Sequence, residues 1–301
     1  MENEILDVLI TAVLPIALVA LVGFCVGRTS DLDMKTLSRV VIYALLPALV
    51  FTSLASMTLS LSVALSIVAT FLLHMTVLYL LVLAISRGLQ LSVDAHKSLL
   101  ATTLFANVGN MGLPFVLFSL GPVGLERAVV YLVCWSLMIA SVFPIMLKGT
   151  GIQAGLQLTL RLPVFWAAMA GLGLQLWGGD LPQALDRGSQ LLAGGAIPIA
   201  LLTLGIQLSK TQFVFGRYEF FGAVLRLVVS PLLALGIGRG LGLSGLDLQV
   251  LVLQSAMPVA VNSLIWVTEL GGDTVRVART IVLSTLLSLG TLPGILWLMT
   301  R

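Results

Sequence analysis

Residues Phe105 to Phe115 read FANVGNMGLPF, inside an apolar run that extends from Ser98 to Leu120. A run of this length favours one continuous membrane helix, which needs about 20 apolar residues. Yet its middle holds Asn107, Gly109, Asn110, Gly112 and Pro114. Glycine lets the backbone leave helical geometry, and proline removes a donor and clashes with the preceding turn. The pattern predicts a helix broken at its centre, with side-chain amides placed in the break.

The rest of the chain makes this a membrane segment. Of 301 residues, 58% are hydrophobic and 10% are charged, and the mean hydropathy is +1.10. A soluble domain carries about 25% charged residues, so the composition points to an integral membrane protein. Apolar runs predict ten spans: 5–27, 37–58, 61–86, 98–120, 127–147, 163–179, 190–208, 218–240, 247–270 and 277–299. The opening MENEILDVLI is acidic, whereas a secretory signal starts with a basic region, so the first span is expected to be retained. The basic residues stand singly in connecting loops, which excludes a nucleic-acid surface. Cys25 and Cys134 lie in apolar runs and read as small core residues. Ligand spacing for a metal, nucleotide-binding motifs and catalytic pairs are all absent from the sequence, so neither an enzyme nor a cofactor is expected.

The loops joining spans 1–2, 3–4, 5–6, 7–8 and 9–10 share one side and, with the adjoining span ends, hold eleven basic residues; the opposite side holds four, and Arg226 lies within span 8. The positive-inside rule makes the basic side cytoplasmic and puts both termini outside.

The two halves also resemble each other. LPIALVALVG (14–23) recurs as LPVFWAAMAG (162–171) at an offset of 148, PALVFTSL (47–54) echoes PIALLTLG (198–205) at 151, and SLMIASVFP (136–144) echoes TLLSLGTLP (285–293) at 149. Five spans is an odd number, so the second half must be inverted relative to the first. The expected organisation is an all-α membrane protein: a first five-helix repeat (1–147), a cytoplasmic connector (148–162) with a short amphipathic piece, and a second, inverted repeat (163–301). Secondary transporters of this architecture bind their substrate at midplane between the repeats.

A break in span 4 then predicts one in span 9. There QSAMPVAVNSLIWV (254–267) places Pro258, Asn262 and Ser263 near the centre. Proline is comfortable at the first position of a helix, so Pro114 and Pro258 are expected to open the second halves of two interrupted helices. Their N-termini, with Asn107, Asn110, Asn262 and Ser263 as neutral donors, would form an anion site without a lysine or arginine.

NVGNMGLP, AMPVAVNSLIWV and TIVLSTLLSLGTLP together resemble the auxin efflux carrier family, which includes the plant PIN carriers and bacterial members linked to malate or malonate transport. The resemblance covers essentially the whole chain. It implies broken crossing helices 4 and 9, a scaffold of spans 1, 2, 6 and 7 that is often dimeric, and a transport unit that moves in the manner of an elevator. By position, Asn110, Pro114, Pro258 and Asn262 inherit the substrate-site role. The chain departs from plant PINs in having only about 15 residues between spans 5 and 6, and in lacking their charged support residues in spans 2 and 3, so auxin itself is a poor substrate guess.

Other polar groups stand inside the spans. His74 is near the centre of span 3 and is the candidate for proton coupling, against a neutral imidazole bonded to neighbouring backbone. Arg226 is expected to snorkel or to cap a carbonyl end. Thr280, Ser284 and Ser288 form a hydroxyl stripe that either glues helices or braces the span 9 break. The expected function is a secondary carrier for a small mono- or dicarboxylate in the inner membrane. The alternatives are a sodium-coupled organic-anion symporter of the bile-acid type and a non-transporting membrane sensor.

Overall fold

The computed structural model describes residues 9–148, 152–210 and 216–300. They are helical with no strand; the one sheet-like feature among the described residues is an isolated antiparallel bridge between Ala106 and Val259.

Among the described residues seven helices are long and apolar enough to cross a membrane: Ile10–Thr29, Thr36–Ala55, Leu61–Gly88, Val108–Val142, Gln183–Ser209, Arg217–Gly240 and Thr274–Met299. The count of continuous spanning helices differs from ten for identifiable reasons. The helices Val93–Leu104, Gly245–Ser255 and Ser263–Leu270 are 12, 11 and 8 residues long, too short for a core about 30 Å thick. Pro163–Trp177 has 15 residues. Val108–Val142 contains two directions of travel, because Gly121 adopts φ 71° inside it, a conformation that L side chains rarely take. Within the expected connector lies a helix, Ile152–Leu160, with Leu156 and Leu160 exposed.

Proline shapes four of the helices in one way. The π turns Leu9–Val13, Val41–Leu45, Val108–Gly112 and Leu225–Val229 each end immediately before an X-Pro pair: Leu14-Pro15, Leu46-Pro47, Leu113-Pro114 and Ser230-Pro231. In three of them the residue before proline donates five residues back, Leu46 to Val41, Leu113 to Val108 and Ser230 to Leu225. Widening the turn makes room for the proline ring.

Leu14–Thr29, Leu46–Ala55, Pro163–Trp177 and Gln183–Ser209 pack on one another, and the remaining long helices form a second group. Main chain meets main chain in the first group. A Cβ on Gly23 would fall on the Leu202 carbonyl, one on Gly205 on the Ala20 carbonyl, and one on Gly171 would come 2.7 Å from the Phe51 carbonyl.

Backbone cannot yield as a flexible side chain does, so Gly205→Ala should force two helices apart. Overpacking of this kind costs about 1–3 kcal/mol. Gly236→Ala, whose Cβ would meet nothing within 4 Å, is the control. Thermal melts in detergent are expected to show a lowered Tm for Gly205→Ala alone; equal melting of the two variants would refute the close main-chain packing of these helices.

Candidate functional site

One helix stops at Leu104 and resumes in the π turn Val108–Gly112, and another stops at Ser255 and resumes at Ser263. Where they cross, each interruption pairs with the other. The Asn107 amide donates to the Pro258 carbonyl at 2.8 Å, and the Ala260 amide donates to the Phe105 carbonyl at 2.8 Å. Buried backbone groups must find partners, most stringently in hydrocarbon, and these two bonds meet that need for the extended segments. The Val259 amide donates to Ser284 Oγ at 3.1 Å, so the hydroxyl stripe braces the break at this residue.

The helix ends are closed by Arg226, which is 0% exposed. Its Nε donates to the Met257 carbonyl and its Nη1 to the Thr103 carbonyl, each at 2.8 Å, and its Nη2 donates to the Ser255 carbonyl. The Thr103 and Ser255 carbonyls belong to the last turns of the two interrupted helices, where partial negative charge collects. Of the two roles the sequence leaves open to Arg226, capping carbonyls is the one the side chain takes. Ser230 Oγ donates to the same Ser255 carbonyl at 2.9 Å.

The prolines sit differently from the sequence-based expectation. Pro258 lies in the extended bridge, five residues before the restart at Ser263, and contributes a carbonyl there. Having no N–H, it leaves no donor stranded in the break. Helicity in the other interruption already resumes at Val108, and Pro114 follows that π turn. The two restarts are also unequal. At Ser263, Leu264 and Ile265 the amides bond three residues back, to Ala260, Val261 and Asn262, which uses up the first turn's donors. At the Val108 restart the first bonds are made by Met111 and Gly112, both to the Asn107 carbonyl, leaving the turn before them open.

A cavity of about 210 Å³ lies against this crossover. Asn107, Gly109 and Asn110 line it from one interruption, and Ala260, Val261 and Asn262 from the other. Opposite stand Ile42, Leu46, Leu49, Pro163 and Ile197 of the close-packed four-helix group, and the sides are closed by Leu132, Trp135, Ser136, Ile139 and Trp266. Among the described residues no charged side chain lines it. Among the described residues the buried donors Asn107 Nδ2 and Trp135 Nε1 have no partner. Phe105 stacks edge-on to Trp135, centroids 6.3 Å apart, and fixes that ring.

Four of the expected site residues, Asn107, Gly109, Asn110 and Asn262, therefore meet in one wall. Gly112, Pro114, Pro258 and Ser263 are buried behind it. Gly112 is needed for closeness, since a Cβ there would fall on the amide of the fully buried Gln254. Ser263 Oγ donates to the Ala260 carbonyl at 2.7 Å. His74 is fully buried away from the cavity, its Nε2 3.1 Å from the Ser230 carbonyl. Since that carbonyl only accepts, Nε2 carries the proton. Sequence reasoning missed Trp135, which nothing in an apolar run separates from a core tryptophan.

Such a molecule is a multi-helix membrane protein with a polar crossover facing a central cavity. Its sequence matches the model of the membrane transport protein family over residues 8–157 and 153–296, and the chain belongs to that family, the auxin efflux carriers. An uncharacterized transporter of Methanothermobacter thermautotrophicus is 33% identical over 95% of this chain and 96% of its own length. Another, of Methanocaldococcus jannaschii, is 27% identical over 92% and 94%. A protein of Rhizobium meliloti provisionally named a malonate transporter is 25% identical over 95% and 94%.

The His74 geometry generates a test. Glutamine presents an amide N–H near the position of Nε2 and does not titrate between pH 5 and 8. His74→Gln is expected to fold and to keep the wild-type pH profile of transport; a flattened or displaced profile would make His74 a titrating part of the cycle.

Proposed function

We propose that this chain is a secondary carrier of small organic anions, with a substrate carboxylate held at the crossover by Asn110, Asn262, Asn107 and the open first turn at Val108–Asn110. The observation that carries the reading is the cavity itself. Its polar wall is made of neutral amides and a helix start, no acidic residue faces it, and its remaining walls are apolar. Neutral donors and a helix N-terminus favour an anion, and two buried donors await a partner. A mono- or dicarboxylate of the malate or malonate size is the proposed substrate, in keeping with the name of the Rhizobium relative.

In this reading the chain spans the membrane ten times as two inverted five-helix repeats. Each interrupted helix counts as one span, and Gly121 separates the first of them from the span that follows it. Support comes from equivalent contacts. Offsets of 148 and 151 relate Gly23 to Gly171 and Phe51 to Leu202, and Gly23 packs on the Leu202 main chain as Gly171 packs on that of Phe51. The four-helix group would be the scaffold and dimer surface, with exposed Leu18, Leu21 and Leu191 on its flank, and the other group would move past it as an elevator. In the same reading the basic loops would face the cytoplasm, leaving both termini outside a carrier of the inner membrane.

Transport current on a solid-supported membrane tests the proposal, with purified protein in sodium-free proteoliposomes and jumps of mono- and dicarboxylates. One acid class is expected to give current. A hydrogen bond to a charged group contributes about 1.5–3 kcal/mol, so Asn110→Ala and Asn262→Ala should each weaken half-saturation roughly 10- to 100-fold. Silence with every acid, with and without sodium, would sink the carrier reading in favour of a sensor.

A further inference from the structure

The Arg226 guanidinium is the one buried charge at the crossover, and among the described residues no carboxylate pairs with it; its acceptors are three main-chain carbonyls. Carbonyls converging from the ends of two helices, with the Ser230 hydroxyl on one of them, are the ligand set that alkali cations take in membrane proteins. Here a covalently attached cation fills it. From this geometry we infer that Arg226 is a resident counter-charge. It occupies a carbonyl cation seat behind the crossover, and its positive charge acts through the bridge to raise affinity for an anion in the cavity.

The two C-terminal helix ends carry partial negative charge, which would repel an anion bound nearby. Arg226 neutralises both and adds a full positive charge. It touches the carbonyls of Thr103, Ser255 and Met257, while the cavity is lined by Asn107 and Ala260, only a few residues further along the same two segments. In a medium of low effective dielectric, such a charge is felt across one layer of backbone. The guanidinium is therefore a positioning and electrostatic residue rather than a substrate ligand. It also supplies at the seat what a sodium ion would, so anion binding needs no sodium there. The effect on substrate rests on the carrier reading above; the occupancy of the seat does not.

Two measurements on detergent-purified full-length protein test this. In the wild type, Tm and malonate affinity are compared in sodium, potassium and choline chloride at matched ionic strength. No sodium-specific change is expected; a sodium-specific rise in either would overturn the inference. Arg226→Ala is then examined with guanidinium and with urea, its neutral isostere, both at low millimolar concentration. Guanidinium is expected to raise the variant's Tm and to recover malonate binding from a loss of roughly tenfold, and urea to do neither. Equal rescue by urea would show that shape and hydrogen bonds suffice, and absence of guanidinium rescue would show that no seat exists; either overturns the inference. Should the variant fail to fold, the wild-type ion series decides. Should malonate not bind the wild type, the substrate reading falls, while the Tm rescue still decides the seat.

Discussion

Two main-chain hydrogen bonds, Asn107 to Pro258 and Ala260 to Phe105, are what the rest of this structure depends on. A helix interrupted in hydrocarbon strands the last carbonyls of one half and the first amides of the next, and no water is present to receive them. One interruption alone would be prohibitive. Two, crossed at their extended segments, serve each other. The polar residues around them then have a common reason. Arg226, Ser230 and Ser284 each take a backbone group that the bridge leaves over.

The electrostatics of the cavity follow from this accounting. Desolvating an isolated ion is costly, and Arg226 is tolerated because all three of its nitrogens are engaged by carbonyls at helix ends. Those same carbonyls are thereby withdrawn as a source of negative potential. What the cavity faces is the opposite set of helix ends, and of these only the Val108 restart keeps an open turn, since the Ser263 restart closes its amides in tight bonds. The donor-rich side of the crossover is thus lopsided, richer around Asn107 and Asn110 than around Asn262.

Local chemistry made the break legible in the sequence: glycine, proline and asparagine inside an apolar run disturb a helix wherever they stand, and the repeat carried that reading from one half to the other. The glycines matched by the repeat, Gly23 and Gly171, both turned out to be points of main-chain approach. What stayed hidden depends on partners far away in the chain. Pro258 reads as a helix start until its carbonyl is seen to receive an amide from Asn107, about 150 residues earlier. Trp135 is distinguished from other buried aromatics only by the cavity at its edge. Arg226 announced itself by its charge, but not that a single guanidinium would reach two helices. Counting apolar runs also hid that interrupted spans have no continuous helix to count.

The sequence correspondence between the halves fails at an informative place. Offsets between 148 and 151 set Arg226 against residues 75–78, MTVL, which hold no cation. A symmetric design would give each interrupted helix its own cap. Instead one side chain spans Thr103 on the first and Ser255 and Met257 on the second, so neither helix end can shift without stranding the guanidinium or a carbonyl. That constraint, added to the bridge, couples the two interrupted helices and the arginine's own helix into one body. In the carrier reading, relative movement would fall to the interface with the four-helix group, where the cavity lies and where the wall opposite the crossover presents apolar side chains such as Ile42, Leu46, Leu49 and Ile197. In that reading, an apolar wall of this kind is one along which a rigid unit could slide.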